Sequence, residues 1–341
     1  MTELSYLQAV VIGLLQGVTE LFPISSLGHS VLVPALFGGS WYHLVTESST
    51  SSSEESPYLA FIVALHVATA VALLVFFWRD WVRIIGGFLH TLRVRRVETS
   101  TERLAWLIVV ASVPVGITGL ALEHTFRVLF AKPLAAAVFL TVNGLILLGG
   151  ERLRRRSEQR EAARGSGQLE KGRGSGQPEA IRGPGQGQVH TSYQAHAAPA
   201  VTGASRSDVA AAHSRQLDTL EYREAAVIGL FQTLALLAGI SRSGITMVAG
   251  LLRGLDHEDA AKFSFLLATP VILAAGVLKL PTLAGPAGEG IHGQVIAGVL
   301  AAGVAAYLSV RFLTRYFMTR TLTPFGIYCL VAGIACIIRF A

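Results

Sequence analysis

A thirty-residue stretch occurs twice in this chain of 341 residues, and each copy sets a polar cluster inside an apolar run. Residues 9–38 read AVVIGLLQGVTELFPISSLGHSVLVPALFG, and residues 225–254 read AAVIGLFQTLALLAGISRSGITMVAGLLRG. Aligned without a gap, twelve of the thirty positions are identical, among them Gly13/Gly229, Gln16/Gln232, Ile24/Ile240, Ser25/Ser241 and Gly28/Gly244. A repeat of this kind in a membrane chain points to a pseudo-symmetric fold whose site lies where the copies meet. The copies differ where chemistry would need them to differ. The first offers Glu20, Ser26 and His29; the second offers Arg242, Ser243 and Thr246.

The surroundings of these clusters are those of a lipid-embedded chain. Hydrophobic residues make up 52% and charged residues only 15%, against about 25% charged in soluble domains, and the mean hydropathy is +0.52. Apolar runs of spanning length fall near 58–78, 104–122, 133–150, 263–280, 291–313 and 324–341. The two repeat segments are apolar too, but Gly, Pro, Ser and charge interrupt them. Such interruptions predict broken or re-entrant helices, tolerated where backbone lines a protein cavity. The opening MTELSYLQAVV has no Lys or Arg, so a cleaved secretory leader is not expected. The only cysteines, Cys329 and Cys336, sit seven apart on the last apolar run, about 10 Å along a helix, which predicts packing and not a disulfide.

Charge sets the expected topology. Segment 79–103 carries six arginines and segment 151–164 another six, with two spans between them, so both belong inside. Loops 39–57 and 281–290 lack Lys and Arg and are assigned outside, while Arg315 and Arg320 place loop 314–323 inside. Hairpins over the two repeats would then enter from opposite faces, an inverted pair whose polar tips can meet. The expected class is an all-α integral membrane protein, a polytopic bundle of two inverted repeats, each with a broken or re-entrant hairpin. The first repeat is drawn over 1–150 with its hairpin at 5–38, the second over 219–341 with its hairpin at 224–254. Between them, 151–218 is rich in Gly, Gln, Ser, Ala and Arg and reads as a disordered basic linker on the inside. Its His190, His196 and His213 have no metal-ligand spacing.

The chemistry-bearing residues cluster at the two expected breaks. Gln16 and Glu20 are four apart and share a helix face. An ionisable side chain in an apolar membrane segment is a functional candidate by default. Pro23 biases the residue before it away from helical geometry, so a helix ends there and Ser25 or Ser26 can cap the next. Backbone N–H groups at that new N-terminus would suit an anion. The second copy breaks at Gly239-Ile240-Ser241 and places Arg242 at a helix start, with Ser243 and Thr246 following. A guanidinium is a rigid, always-charged fork for phosphate. Gly239, Ser241, Ser243 and Gly250 could equally be small residues for close helix packing, but packing leaves Arg242 without a reason. His66, in mid-span, either lines the same cavity or is a satisfied core histidine. No GxxxxGK[ST], HExxH or CxxC pattern is present, which argues against nucleotide hydrolysis and a thiolate–metal centre.

These motifs resemble those of the undecaprenyl-diphosphate phosphatase family, also called bacitracin-resistance proteins. The family's [EQ]xxxE and PxSSxGH segments appear as QGVTELFPISSLGH over 16–29, and its PGxSRSxxT motif as AGISRSGIT over 238–246. FSFLLATP (263–270) and FFWRDW (76–81) match as well, so the likeness covers nearly all the apolar segments. Gln16 stands where many members have glutamate, Ala238 replaces the usual proline, and the linker of about sixty residues resembles an insertion.

The resemblance implies hydrolysis of undecaprenyl diphosphate to the monophosphate and phosphate. That reaction recycles the lipid carrier for peptidoglycan synthesis and confers bacitracin resistance. It also implies a divalent cation, Mg2+ or Ca2+, with Glu20 a candidate ligand, and a multi-pass protein of the cell membrane whose site opens to the external face. A homodimer is left open, and the net charge of +6 gives no reason to expect nucleic acid. The expected catalytic residues are Glu20, Ser26, His29 and Arg242; Gln16, Ser25, Ser241, Ser243 and Thr246 are expected to bind substrate. In the expected mechanism Ser26 attacks with His29 as base and Glu20 orients His29 or holds the metal; direct attack by His29 or by a Glu20-activated water stays open. The rival is a transporter or flippase for an anionic lipid, which inverted repeats with broken helices would also serve.

Overall fold

The structure is a computed structural model that describes residues 4–42, 57–122, 132–174, 217–279 and 290–341. In chain order its main helices are α1 (Tyr6–Thr19), α2 (Ser26–Phe37), α3 (Pro57–Phe76), α4 (Trp78–Val94), α5 (Ser100–Ala121) and α6 (Pro133–Gly174). After these come α7 (Tyr222–Thr233), α8 (Arg242–Leu251), α9 (His257–Lys279), α10 (His292–Phe317) and α11 (Thr323–Phe340). No β-strand occurs among the described residues.

Among the described residues five helices are long and apolar enough to cross a membrane: α5, α6 over Pro133–Arg160, α9 to Leu278, α10 and α11. A sixth crossing results if Ala60–Phe76 and Trp78–Val94, bent by 87° at Phe77, are taken as one. The chain is therefore a multi-pass membrane protein. By length α3 alone suffices, since its twenty residues run about 30 Å at 1.5 Å each. The arginine-rich segment from 79, read from sequence as a loop, is mostly the helix α4. Its exposed Val82, Ile85, Leu89 and Leu92 recur at three- and four-residue steps, while arginines occupy other positions. Such a pattern is that of an amphipathic helix lying at the membrane surface.

The two repeats fold in the same register. In their gap-free alignment Tyr6 falls opposite Tyr222 and Ser26 opposite Arg242, and each of these four residues begins a helix. Ser5 caps α1 in a reciprocal box with Gln8. Glu221 and Glu224 form the corresponding box at α7. At 14 and 12 residues, α1 and α2 are each too short to cross alone, as are α7 and α8 at 12 and 10. They are half-helices joined at breaks, as Pro23 and Gly239 predict.

The repeats also exchange partners. α1 of the first packs on α10 of the second, and α7 of the second packs on α5 of the first. Glycine permits both crossings: a Cβ on Gly13 would run into the Gly298 carbonyl, and one on Gly229 into the Ala111 carbonyl. Gly13 and Gly229 are equivalent positions of the repeat, so one close contact is used twice. Cys329 and Cys336 are both free and buried, as their spacing predicts.

The chain divides into two units, Met1–Arg152 with Arg215–Ala341, and Leu153–Ser214. The polar segment drawn from 151 as a linker begins as helix, with Arg154 and Glu158 paired at 2.7 Å one turn apart. A single 3-10 turn, Leu217–Thr219, precedes the second repeat. Residues 175–216, with His190, His196 and His213, lie outside the described residues, as does most of the two loops assigned outside.

Candidate active site

The two breaks meet inside the larger unit. Ser25 caps α2 with its hydroxyl oxygen accepting from Gly28 N at 3.2 Å, and the same oxygen accepts Gly239 N of the other copy at 3.2 Å. Its φ of 72° is unusual for a residue with a side chain. Ser241 caps α8 in the equivalent way, accepting from Gly244 N at 3.1 Å. Gly239 has φ +114° and lies against Ala136, Phe139 and Leu140 of α6, so neither its backbone nor its surroundings admit a side chain. Gly28 approaches Gly239 closely enough that a Cβ there would stand 3.0 Å from the Gly239 Cα.

A fully buried amide outside the two thirty-residue copies ties the breaks together. Asn143 of α6 donates from Nδ2 to the Pro23 carbonyl at 3.1 Å, and its Oδ1 accepts Ser241 N at 3.0 Å. Ser243 donates to the Phe22 carbonyl at 3.2 Å, closing a third link between the copies. The two breaks thus satisfy each other's backbone groups, as burial requires.

Glu20 stands at the centre, 6% exposed, at the C-terminus of α1. Its Oε1 accepts from Arg242 Nη2 at 2.6 Å. Its Oε2 accepts from the Ser26 hydroxyl at 2.5 Å and from Gln16 Nε2 at 3.1 Å. His66 of α3 approaches the same oxygen with Nε2 at 3.3 Å, while its Nδ1 is 2.8 Å from the Ile62 carbonyl. A carbonyl only accepts, so that Nδ1 carries the proton. His66 thus lies against Glu20 with both ring nitrogens partnered. Two buried polar atoms beside Glu20 have no partner: Arg242 Nη1 and Gln16 Oε1.

Acid, hydroxyl and guanidinium are therefore together, as the repeat suggests, but their pairing differs from the sequence-based mechanism. Ser26 donates to Glu20, not to His29. His29 sets Nδ1 2.6 Å from the Ser25 carbonyl and Nε2 2.8 Å from the Tyr328 hydroxyl of α11, with the two rings stacked. Ser25, Ser241 and Ser243 are buried and spent on the breaks. Thr246 hydrogen-bonds the Arg242 and Ser243 carbonyls and the Ser264 hydroxyl of α9, at 2.7, 3.1 and 2.6 Å. Asn143 and Tyr328 escaped the sequence reading. Asn143 is the only amide side chain in the apolar run 133–150, and that singularity was the available signal.

A sequence model of the family described as bacitracin resistance protein BacA matches residues 9–175 and 191–335. The chain belongs to this family. Curated sequences include close relatives of it. Undecaprenyl-diphosphatase 2 of Frankia alni is 69% identical over 341 residues, covering 100% of this chain and 99% of its own. Undecaprenyl-diphosphatase of Mycolicibacterium paratuberculosis is 56% identical over 339 residues, covering 99% and 98%. Undecaprenyl-diphosphatase 2 of Chromobacterium violaceum is 37% identical over 332 residues, covering 96% of each. Both motif-bearing breaks of the chain fall within the matched residues.

Proposed function

We propose that this protein is an undecaprenyl-diphosphate phosphatase of the cell membrane. It releases inorganic phosphate from the lipid diphosphate and returns undecaprenyl phosphate to peptidoglycan synthesis. The observation that carries this is the buried, unpartnered Arg242 Nη1 beside the Glu20–Ser26 pair. A guanidinium nitrogen out of water and without an acceptor is costly unless an anion completes it. The family and the names of its curated relatives identify the anion as a polyprenyl diphosphate.

Arg242 Nη1 takes an oxygen of the terminal phosphoryl group, where charge spreads during transfer. Glu20 Oε2 removes the Ser26 proton along the hydrogen bond already in place. Ser26 Oγ then bonds the terminal phosphorus as the bridging P–O bond breaks, and undecaprenyl phosphate leaves with the electron pair. Water next attacks the phosphoserine, giving up its proton to the site and freeing inorganic phosphate and the Ser26 hydroxyl. His29 positions the first turn of α2 through the Ser25 carbonyl, and Tyr328 holds the far side of its ring. Gln16 and His66 keep the Glu20 carboxylate facing Ser26.

Among the described residues no three His, Cys, Asp or Glu side chains form a metal cluster, so the protein by itself makes no cation cage. Glu20 and the unpartnered Gln16 Oε1 nevertheless suit a hard cation that arrives with diphosphate oxygens. They would hold Mg2+ or Ca2+, whose contribution is to neutralise the diphosphate. The inverted arrangement and an opening toward the external face rest on the arginine count and on the exchanged packing of α1 and α7.

The test is phosphate release from undecaprenyl diphosphate by purified protein in detergent, with and without Mg2+ or Ca2+. Release that disappears in Arg242→Ala supports the assignment. Folded wild-type protein that releases none with either cation would overturn it. Rapid acid quenching should trap 32P on Ser26; turnover at the normal rate by Ser26→Ala would remove it as nucleophile.

A further inference from the structure

Away from the breaks, the C-terminal end of α10 and the turn after it form an open cleft of ≈ 460 Å³. Arg311, Arg315 and Arg320 line it together with Leu308, Phe312 and Tyr316. All three arginines are exposed, and the ion pairs found among the described residues lie elsewhere. The cleft is continuous with an apolar track. Ile296, Leu300, Val304, Leu308 and Phe312 recur every four residues along α10, and all are more than half exposed. A spanning helix presents such a face to lipid. Here the track ends in three guanidinium groups.

We propose that this cleft is a binding site for one anionic phospholipid, its phosphodiester on the arginines and an acyl chain along the α10 track. Three charges with no ion pair among the described residues complement an anionic headgroup. Basic clefts between membrane helices bind such headgroups by the same chemistry. The track, about 24 Å from Ile296 to Phe312 at 1.5 Å per residue, distinguishes a lipid from a free anion, because inorganic phosphate has no use for an apolar face. The site is separate from Arg242 but touches its surroundings. Phe312 stacks on Phe22 with ring centroids 5.9 Å apart, and the Phe22 carbonyl accepts the Ser243 hydroxyl. A lipid seated on Phe312 therefore bears on the first break.

The experiment is native mass spectrometry of delipidated protein titrated with phosphatidylglycerol and, separately, phosphatidylcholine of the same acyl chains. Wild type should take up one phosphatidylglycerol in preference to phosphatidylcholine. The Arg311→Gln/Arg315→Gln/Arg320→Gln variant should weaken phosphatidylglycerol binding by at least about tenfold. Arg315→Gln alone should give a smaller loss in the same direction and serves if the triple variant does not fold. Arg339→Gln, at the other end of α11, should leave binding unchanged. Equal phosphatidylglycerol binding by wild type and the folded arginine variants would overturn the proposal. So would an equal loss in Arg339→Gln, complete displacement by millimolar inorganic phosphate, or displacement by undecaprenyl phosphate at equal concentration.

Discussion

Glu20 serves three hydrogen-bond donors and a histidine with two oxygens, and this crowding ranks the substitutions. Glu20→Gln keeps the shape but removes the proton acceptor from Ser26 and the counter-charge from Arg242. Steady-state phosphate release should show kcat lowered by about 10² to 10⁴, the range for a lost general base. Arg242→Lys keeps a charge yet loses the fork that reaches Glu20 and substrate together, so kcat/KM should fall well below wild type. Tyr328→Phe removes only the partner of His29 Nε2, so it should be the mildest of the three. Glu20, Ser26 and Arg242 were legible in sequence because charge is rare in an apolar run. Their pairing was not. Ser26 and His29 lie three apart and so read as partners, but His29 turns its Nδ1 back to the Ser25 carbonyl, a choice set by α11 from far along the chain.

At the scale of elements, the half-helices depend on small residues and on one amide. Gly13→Val and Gly229→Val insert bulk at equivalent crossings, and each should lower the melting temperature in detergent, at an overpacking cost of about 1–3 kcal/mol. Asn143→Leu leaves the Ser241 amide buried without a partner, costing about 1–3 kcal/mol, and leaves the Pro23 carbonyl with only the Cys329 thiol at 3.8 Å. Circular-dichroism melting would measure the loss, and turnover at a permissive temperature should fall as well, because the breaks would no longer be held in register. Pro23, Gly239 and the capping serines announce both breaks in the sequence. Asn143 could not be read that way, since a lone amide has no periodicity and its two partners come from both repeats. The turn at Phe77 into α4 was hidden for a different reason: arginine content marks a segment as outside lipid without saying whether it is coiled.

Over the whole molecule, the apolar runs gave away the all-helical, multi-pass class because lipid allows so few alternatives to helices, while the exchange of partners between halves had no local signature. The two halves meet through α1 on α10 and α7 on α5, helices that all lie outside 175–216. Cleavage at an engineered protease site within 175–216 should therefore leave phosphate release near that of the intact protein. Separation of the halves after the cut, seen by gel filtration, would contradict the exchanged packing.

That exchange also has a bearing on biosynthesis. Residues 6–19 emerge from the ribosome first, but the helix that receives them is among the last made. Glu20 meets its guanidinium 222 residues later. An unfinished chain thus holds an acid without its counter-ion and a serine without an anion site, so the growing polypeptide has no working catalyst until its second half is in the bilayer.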